Sequence, residues 1–456
     1  MHFARPLVWA NVLAFFTLTP AFRNAMYIDE WHPGIPTNHS ITTGITHVIM
    51  AFVDPLNFST VSALPSPPLM PVGDVRTHFD NGTKVGVALG GWGPYSASFG
   101  LVSTAENRTT FAANLADWVE QQGYDFVDID WEYPGGNGAE KPLDAKAEID
   151  NLPLFLAAIK EKLRKGAFIS LALAGTLDGM KAFQTRNQTK PIWDSIDFIT
   201  VMAYDFFNRA SCTTGHHTDV EGSRLAVQRY IDLGLPADKI NLGFAFYAKY
   251  FEVDDTCSSC MLPYGCSILS AQDENGTDTF RSGVLTFESR NIDLPAVPAS
   301  LQESPDGTCG YYNGTPTRYK CKDHYCCGES GWCGDLSAHC IPLCQVGYGR
   351  CDGPDVRSSF KKARENSNYD QERGGMWYFD ETTSPRLFWT WENTEIMARK
   401  FDEIVNNPTY KLGGVSGWSL GENSAGWEHV QQMRNMTHQL QDPADQSHQG
   451  GQCPPS

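Results

Sequence analysis

Eight short apolar runs, separated by segments with helical periodicity, constrain the fold of this chain more than any other feature. Most of the runs are almost continuously apolar, as expected for parallel strands that are buried on both faces. They span residues 25–29, 46–53, 84–89, 126–132, 168–172, 198–202, 240–244 and 414–418. This alternation predicts an α/β fold, a (β/α)8 TIM barrel. The alternative, an open doubly wound sheet, is disfavoured because no phosphate-type glycine loop follows an early strand.

The regular spacing breaks between the seventh and eighth runs, which are about 170 residues apart, whereas a βα unit needs about 30. An inserted region is therefore expected after strand 7. The predicted organisation is a catalytic barrel whose first seven strands lie within 22–250 and whose eighth lies within 393–440. Between them we expect an α+β insertion domain at 251–303 and 353–392, with a small disulfide-rich module inside it at 304–352. Strands of the insertion are expected at 285–287, 375–379 and 387–391.

Charge and chain ends indicate the compartment and exclude some partners. The 35 basic and 53 acidic residues give a net charge of −18, which disfavours nucleic acid and anionic membranes as partners. Residues 1–21 resemble a signal peptide with an apolar stretch before Ala21, the tail at 441–456 is polar, and no membrane-spanning run is expected.

Thirteen cysteines favour export. The glycosylation sequons are Asn38, Asn57, Asn81, Asn107, Asn187, Asn275, Asn313 and Asn435.

The strongest chemical signal is the strand that contains Asp128, Asp130 and Glu132. Residues two apart on a strand face the same way, about 7 Å from one another. Three carboxylates this close cannot all ionise, so at least one pKa is expected to rise. Glu132 lies nearest the C-terminal end of the strand, where barrel active sites form, and is the candidate general acid. A metal site is disfavoured because no His or Cys accompanies the acids, and no cofactor is expected.

The spacing Asp125-x-x-Asp128-x-Asp130-x-Glu132 matches the DxxDxDxE signature of family 18 glycoside hydrolases, the chitinases and their relatives. Other motifs of this family follow in the expected order, and the pattern is most similar to fungal chitinases. Two positions depart from the family: Ala88 stands where a Ser precedes the glycine motif, and Lys249 stands where an Arg follows strand 7. The substrate-binding residues that the resemblance implies are Tyr27, Phe52, Gly91, Trp92, Tyr133, Met202, Asp205, Tyr247 and Trp418.

The resemblance also implies a mechanism that is assisted by the substrate. Glu132 would protonate the glycosidic oxygen while the substrate's 2-acetamido oxygen attacks the anomeric carbon. Asp130 would hydrogen-bond the acetamido N–H, and Asp128 would share a proton with Asp130. Tyr204 would donate to the acetamido carbonyl, and Trp418 would form the floor beneath the sugar at the cleaved bond. Configuration would be retained.

Eight cysteines within the segment 309–351 indicate a disulfide-stapled small module rather than a zinc site. Their spacing resembles the hevein-type chitin-binding module. The resemblance implies the pairs Cys309–Cys327, Cys321–Cys333, Cys326–Cys340 and Cys344–Cys351. The positions that match the family's sugar contacts are Gly328, Ser330, Trp332 and His339, of which only Trp332 keeps a full stacking face. A purely structural or partner-binding role for the module stays open.

Five cysteines lie outside this set. Cys257, Cys260 and Cys266 are expected to pair among themselves or with Cys212, and Cys453 in the tail is either free or paired with another chain.

The predicted function is a secreted, extracellular chitinase that acts on chitin and chito-oligosaccharides, with association to a cell wall left open. One alternative is an endo-β-N-acetylglucosaminidase acting on N-glycans; relatives of that kind commonly carry Asn in place of Tyr204. The others are a non-catalytic chitin-binding lectin, which usually has lost the terminal acid, and a killer-toxin-like subunit tethered through Cys453.

Overall fold

Eight parallel strands close into a barrel in the computed structural model of this chain, which confirms the (β/α)8 prediction. The structure describes residues 22–60, 64–142, 144–254, 262–274, 276–292, 296–312, 315–409 and 411–441. The barrel strands are β1 Arg23–Asp29, β2 His47–Val53, β3 Lys84–Gly90, β4 Phe126–Asp130, β5 Phe168–Ala174, β6 Phe198–Met202, β7 Ile240–Ala245 and β8 Gly414–Trp418. They follow one another around the barrel in chain order, and β8 pairs with β1.

One strand ends earlier than the apolar run predicts. β4 stops at Asp130, because the backbone N–H of Glu132 donates to Ser96 Oγ at 2.8 Å and not to a neighbouring strand. Glu132 is therefore carried on the connection that leaves the barrel, directly above the end of β4. This places its carboxyl group at the mouth of the barrel and not inside it.

The principal helices of the barrel surround the strands, and each of the first five begins at a Ser/Thr/Asp/Asn-type cap whose side chain accepts a backbone N–H. These helices are Ala105–Gln122, Ala145–Lys162, Arg186–Ser195, Val220–Asp232, Thr394–Lys400 and Glu428–Gln441. Shorter helical turns are His39–Thr42, Pro55–Phe58, Val72–Arg76, Pro94–Ala97, Ser98–Ser103, Ala237–Lys239, Ser289–Ile292, Ser337–Cys340, Phe401–Val405 and Leu420–Glu422. Over the described ranges, no helix has the length and apolar character that crossing a bilayer requires.

Aromatic side chains fill the end of the barrel at which the strands begin. The His47 ring lies 5.8 Å from the rings of Phe126 and Phe168 and 5.6 Å from that of Phe198. Phe126 and Phe168 stack at 4.6 Å. Burial lowers the pKa of His47 to about 4, so this imidazole is neutral among the rings at neutral pH. The barrel is thus closed at one end, and the acids of β4 face the other.

The insertion after β7 contains a five-stranded antiparallel sheet. Its strands, in spatial order, are Asn368–Asp370, Gly375–Asp380, Arg386–Trp391, Tyr247–Val253 and Ser282–Thr286. Helix Val356–Glu365 packs against this sheet. The strand Tyr247–Val253 was not expected, because only Phe246 separates it from β7 and the two apolar runs read as one.

Four disulfides hold the small module together: Cys309–Cys327, Cys321–Cys333, Cys326–Cys340 and Cys344–Cys351. They are the same pairs that the resemblance to the hevein-type module implies. Trp332 is 42% exposed, whereas the His339 ring packs against the backbone of Gly334 and is partly buried. His339 therefore offers less free surface than a stacking residue needs.

Two further cysteines are described. Cys266 is disulfide-bonded, whereas Cys212 is an exposed free thiol, so the suggested pairing that includes Cys212 is wrong. Cys257, Cys260 and Cys453 lie outside the described residues, as do the expected signal peptide, the polar tail after Gln441, and the sequons at Asn275 and Asn313.

A fully buried ion pair joins a helix to the barrel. Lys400 Nζ lies 3.1 Å from Glu392 Oε1, and both side chains are inaccessible to solvent. Lys400 also donates to Thr218 Oγ1, and the N–H of Ala245 at the end of β7 donates to Glu392 Oε2 at 3.3 Å. The pair therefore holds helix Thr394–Lys400 against the end of β7.

Removing one member of this pair should destabilise the fold more than removing both. Lys400→Met leaves the Glu392 carboxylate buried without its cation, which is expected to cost about 3–5 kcal/mol of unfolding free energy. The double variant Lys400→Met/Glu392→Gln should cost less. Urea unfolding measures both, with Lys190→Met, which breaks an exposed pair with Asp194, as the control expected to change little. Equal losses for the single and double variants would contradict this expectation.

Candidate active site

The acids of β4 lie at the bottom of a cleft of about 640 Å³ at the open end of the barrel. Asp130 and Glu132 line this cleft, and Asp128 is buried one layer beneath them. The walls come from the connections that follow the strands and from the insertion sheet, which contributes Tyr247 and Val284. The cleft thus brings together side chains from distant parts of the chain around the carboxyl groups of Asp130 and Glu132.

Asp128 is held by two hydroxyl groups. Tyr27 Oη donates to Asp128 Oδ2 at 2.8 Å, and Ser170 Oγ donates to Asp128 Oδ1 at 2.6 Å. In the sheet, Asp128 lies in register with Ala88 on one side and Ser170 on the other. One of the two hydroxyl groups therefore comes from β5, on the side of Asp128 opposite Ala88. Burial raises the pKa of Asp128 to about 6, although both hydrogen bonds lower it.

Asp130 has a carboxyl oxygen without a hydrogen-bond partner. Its Oδ1 is buried and contacts no donor among the described residues. Burial, together with the charges of Glu132 and Asp128, raises the pKa of Asp130 well above its ordinary value. A buried and unpaired oxygen in a ligand cleft is costly unless a ligand satisfies it. Asp130 is therefore prepared to exchange a hydrogen bond with a bound molecule.

Glu132 has the protonation behaviour of a general acid. Burial raises its pKa to about 7; a hydrogen bond with Tyr133 lowers it, and the charge of Asp205 raises it. The carboxyl group is therefore protonated at mildly acidic pH, when Asp205 is ionised. Ser96 fixes the backbone beneath it, because its hydroxyl accepts from the N–H of Glu132 and donates to Gly91 O at 2.8 Å.

The glycine motif after β3 allows the backbone to approach β4 closely. Gly90 has φ +100°, and a Cβ at this position would lie 2.3 Å from Asp130 O. The N–H of Gly91 donates to the same oxygen at 2.8 Å, and a Cβ there would collide with the Phe52 ring. The next residue, Trp92, stands at the rim, 55% exposed.

Tyr204 and Asp205 follow β6 and form one wall. Asp205 Oδ1 accepts from Tyr247 Oη at 2.9 Å and lies 2.8 Å from Lys249 Nζ. Burial acts to raise the pKa of Asp205, but the Lys249 ammonium group and His217 hold it well below its usual range. Asp205 therefore carries a negative charge. The ammonium group of Lys249 pairs with one oxygen of that carboxylate.

Aromatic rings line the opposite part of the cleft. Trp418 stacks on Phe52 with centroids 5.4 Å apart and also contacts Tyr27 at 5.4 Å. Trp31, 52% exposed, lies 6.2 Å from Phe52 and lines the same cleft. These rings form an apolar surface beside the carboxyl groups, as stacking on a sugar face requires.

Most of the expected site residues lie together. Asp128 and Gly91 lie beneath the cleft, and Asp125 is at the other end of the barrel, where it pairs with Arg76 at 2.7 Å. Those that line the cleft are Tyr27, Phe52, Trp92, Asp130, Glu132, Tyr133, Met202, Tyr204, Asp205, Tyr247 and Trp418.

Three contributors were not foreseen: Trp31, Ser96 and Ser170. The register of β4 against β5 would have identified Ser170, because Ser170 is the residue beside Asp128.

Groups of side chains that could share a metal ion occur in the described part of the chain only within the small module. They consist of Cys309, Cys321 and Cys327, and of Cys326 and Cys340 with Asp352. All these cysteines form disulfides, so their sulfurs are not available as thiolate ligands.

Comparison with known proteins identifies relatives of this architecture. A mouse protein named chitotriosidase-1 is 30% identical over 223 residues, covering 45% of this chain and 47% of that protein. Chitinase 1 of Aphanocladium album is 30% identical over 190 residues, covering 37% and 42%. The chain thus matches less than half the length of these curated relatives.

Solved structures share the fold at lower sequence identity. The crystal structure of the Rhizomucor miehei chitinase RmChi1 superposes with a TM-score of 0.60 at 16% identity, covering 91% of this chain and 99% of that one. The family model for glycosyl hydrolases family 18 matches residues 23–423, which include all eight barrel strands and the insertion. The chain therefore belongs to glycosyl hydrolases family 18.

Proposed function

We propose that this protein is a chitinase that hydrolyses β-1,4 linkages between N-acetylglucosamine units with retention of configuration. One observation carries this proposal: the carboxyl group of Glu132, whose pKa is raised to about 7, stands beside an unpaired carboxyl oxygen of Asp130 in a ring-lined cleft. The two relatives at 30% identity are named chitotriosidase-1 and chitinase 1, and these names support the proposal.

The proposed first step uses Glu132 as an acid. Its proton passes to the glycosidic oxygen as the bond to the anomeric carbon breaks, and the substrate's own acetamido oxygen forms the new bond to that carbon. Asp130 accepts a hydrogen bond from the acetamido N–H, which directs the oxygen toward the anomeric carbon. The proton that Asp130 carries can move toward Asp128, whose carboxylate already accepts hydrogen bonds from Tyr27 and Ser170.

In the second step Glu132, now ionised, removes a proton from water. That water attacks the same carbon and releases the acetamido oxygen, so the two inversions give net retention. Tyr204 stands in the cleft wall beside Asp205, where its hydroxyl can donate to the acetamido carbonyl. Trp418, stacked on Phe52, supports the sugar from below.

We further propose that the protein acts outside the cell. Four disulfides within one small module are typical of oxidising compartments, because cytosolic thiols are kept reduced. The proposed substrate, an insoluble wall or cuticle polymer, is also extracellular.

Replacement of Glu132 tests the chemistry directly. Glu132→Gln keeps the shape of the side chain but removes the transferable proton, so kcat on a soluble chitin hexamer should fall by about 10²–10⁴-fold. Glu140→Gln, an exposed change on the same connection, is the matched control and should retain full activity. Substantial hydrolysis by Glu132→Gln would contradict the assignment of Glu132 as the acid.

The rate should depend on pH in a defined way. Because Glu132 must be protonated in the free enzyme, kcat/KM should fall about tenfold per pH unit above a pKa of about 7. It should also fall toward low pH as the Asp128–Asp130 pair gains its second proton. Tyr27→Phe removes a donor to Asp128, raises the pKa of that group and should move the acidic limb upward. A profile that stays flat through pH 8 would contradict this interpretation.

Ser170 should be required for full activity, because Ala88, on the other side of Asp128, has no hydroxyl group that could donate to this carboxylate. Ser170→Ala removes the hydrogen bond to Asp128 Oδ1 and should lower kcat/KM about tenfold to a hundredfold, since hydrogen bonds to charged groups contribute about 1.5–3 kcal/mol. Ala88→Ser restores a hydroxyl on the other side of the same carboxylate. The double variant should therefore recover some of the lost activity. If Ala88→Ser has no effect in the Ser170→Ala background, the two positions are not equivalent.

A further inference from the structure

A cluster of charged side chains lies behind the tryptophans of the cleft. His32 Nδ1 is 3.0 Å from Asp29 Oδ1 and 3.5 Å from Glu422 Oε1, and His32 Nε2 is 3.7 Å from Glu288 Oε2. Asp29 ends β1, Glu422 follows β8, and Glu288 belongs to the insertion domain. One imidazole thus contacts carboxyl groups from three separate segments of the chain.

The Asp29 carboxylate connects the two tryptophans. Its Oδ1 accepts the backbone N–H groups of Trp31 and His32, both at 2.9 Å. Its Oδ2 accepts from the hydroxyl of Ser419, the residue that follows Trp418. A single buried side chain therefore holds the backbone at Trp31 and the chain directly after Trp418.

Charge is distributed unequally among the acids of this cluster. Burial and the charge of Asp29 raise the pKa of Glu422 well above its ordinary value. For Asp29, burial raises the pKa, but the contacts with His32 and Ser419 outweigh it and the pKa is lowered. Asp29 therefore holds a negative charge more readily than Glu422. Glu288 is paired with Arg290 at 2.9 Å.

Close packing leaves the segment around His32 little freedom. A Cβ at Gly421 would lie 1.8 Å from His32 O, so the backbone after Trp31 lies directly against the turn Leu420–Glu422. Trp31 itself is half exposed and contacts Phe52, which stacks on Trp418. The orientation of Trp31 therefore depends on its backbone anchor more than on contacts around its ring.

We propose that Asp29 and His32 are positioning residues that fix Trp31 relative to Trp418 and thereby set the affinity of the cleft for a sugar chain. Neither residue lines the cleft, so both act through Trp31, whose backbone N–H is held by Asp29. His32 keeps the Asp29 carboxylate in place and links it to the insertion domain through Glu288. Holding an exposed ring in its binding orientation lowers the entropy that is lost when a ligand binds. This inference rests on the proposed function.

The test is a double-mutant cycle in the Glu132→Gln protein, which should bind without hydrolysing. Titration calorimetry with a chitin hexamer gives Kd for four proteins: the parent, His32→Gln, Trp31→Ala and the combination. His32→Gln should weaken binding about twofold to tenfold, the range expected for one ring that is no longer held. In the Trp31→Ala background the same change should leave Kd unaltered, because its effect passes through Trp31.

His216→Gln is the matched control. His216 also joins the barrel to the insertion domain, through Asp370 at 3.1 Å, but it does not line the cleft. Its replacement should leave Kd unchanged. An equal loss from His32→Gln with and without Trp31, or no loss at all, overturns the proposal.

Hydrogen exchange of the ligand-free protein provides a readout that does not depend on the substrate. The amides of Trp31 and His32 should exchange faster in His32→Gln than in the parent, because Asp29 is then less firmly held. Asp29→Asn keeps an acceptor oxygen and should disturb these amides less than Asp29→Ala. If the parent binds no hexamer, the proposed function fails, and unchanged exchange in His32→Gln overturns the positioning role separately.

Discussion

The placing of three carboxyl groups near the end of one strand, two of them buried, is the constraint on which the rest of this structure depends. Charged carboxylates lose much of their hydration there, and mutual repulsion adds to the cost. Two hydroxyl donors at Asp128 offset some of it, and the remaining groups keep protons. Burial is the main cause that raises the pKa of Asp128 to about 6 and that of Glu132 to about 7, and repulsion from both neighbouring acids adds to the rise at Asp130. The loss of hydration that makes these carboxylates costly is also what raises the pKa of Glu132 and keeps it protonated as an acid.

The surrounding architecture separates the regions that need stability from those that need access. The start of the barrel is filled with aromatic rings around His47, while the other end opens into the cleft. The insertion sheet then raises one wall and supplies Tyr247 and Lys249 to the Asp205 carboxylate. The cleft lies where the connections after the strands converge, as is usual for the active sites of barrels of this kind.

Local patterns in the sequence were sufficient for the strands, the acids and the identity of the family, because each depends on residues close together in the chain. Contacts between distant residues were not predictable in the same way. Ser170 is meaningful only once the register of β5 against β4 is known. Asp29 and Ser419 are 390 residues apart, and no periodicity indicates that they meet. The strand Tyr247–Val253 was hidden because it continues an apolar run.

The two departures from the family pattern have a common physical explanation. Ala88 lacks the hydroxyl expected on β3, yet Asp128 still receives two, because β5 provides one from the opposite side. Lys249 lacks the fork of a guanidinium group, yet Asp205 Oδ1 needs only one cation beside the Tyr247 hydroxyl. For Asp128 the donor lies on a different strand, whereas for Asp205 the position is kept and the cationic group differs. In both cases the carboxylate keeps a partner, although the residue at the family position has changed.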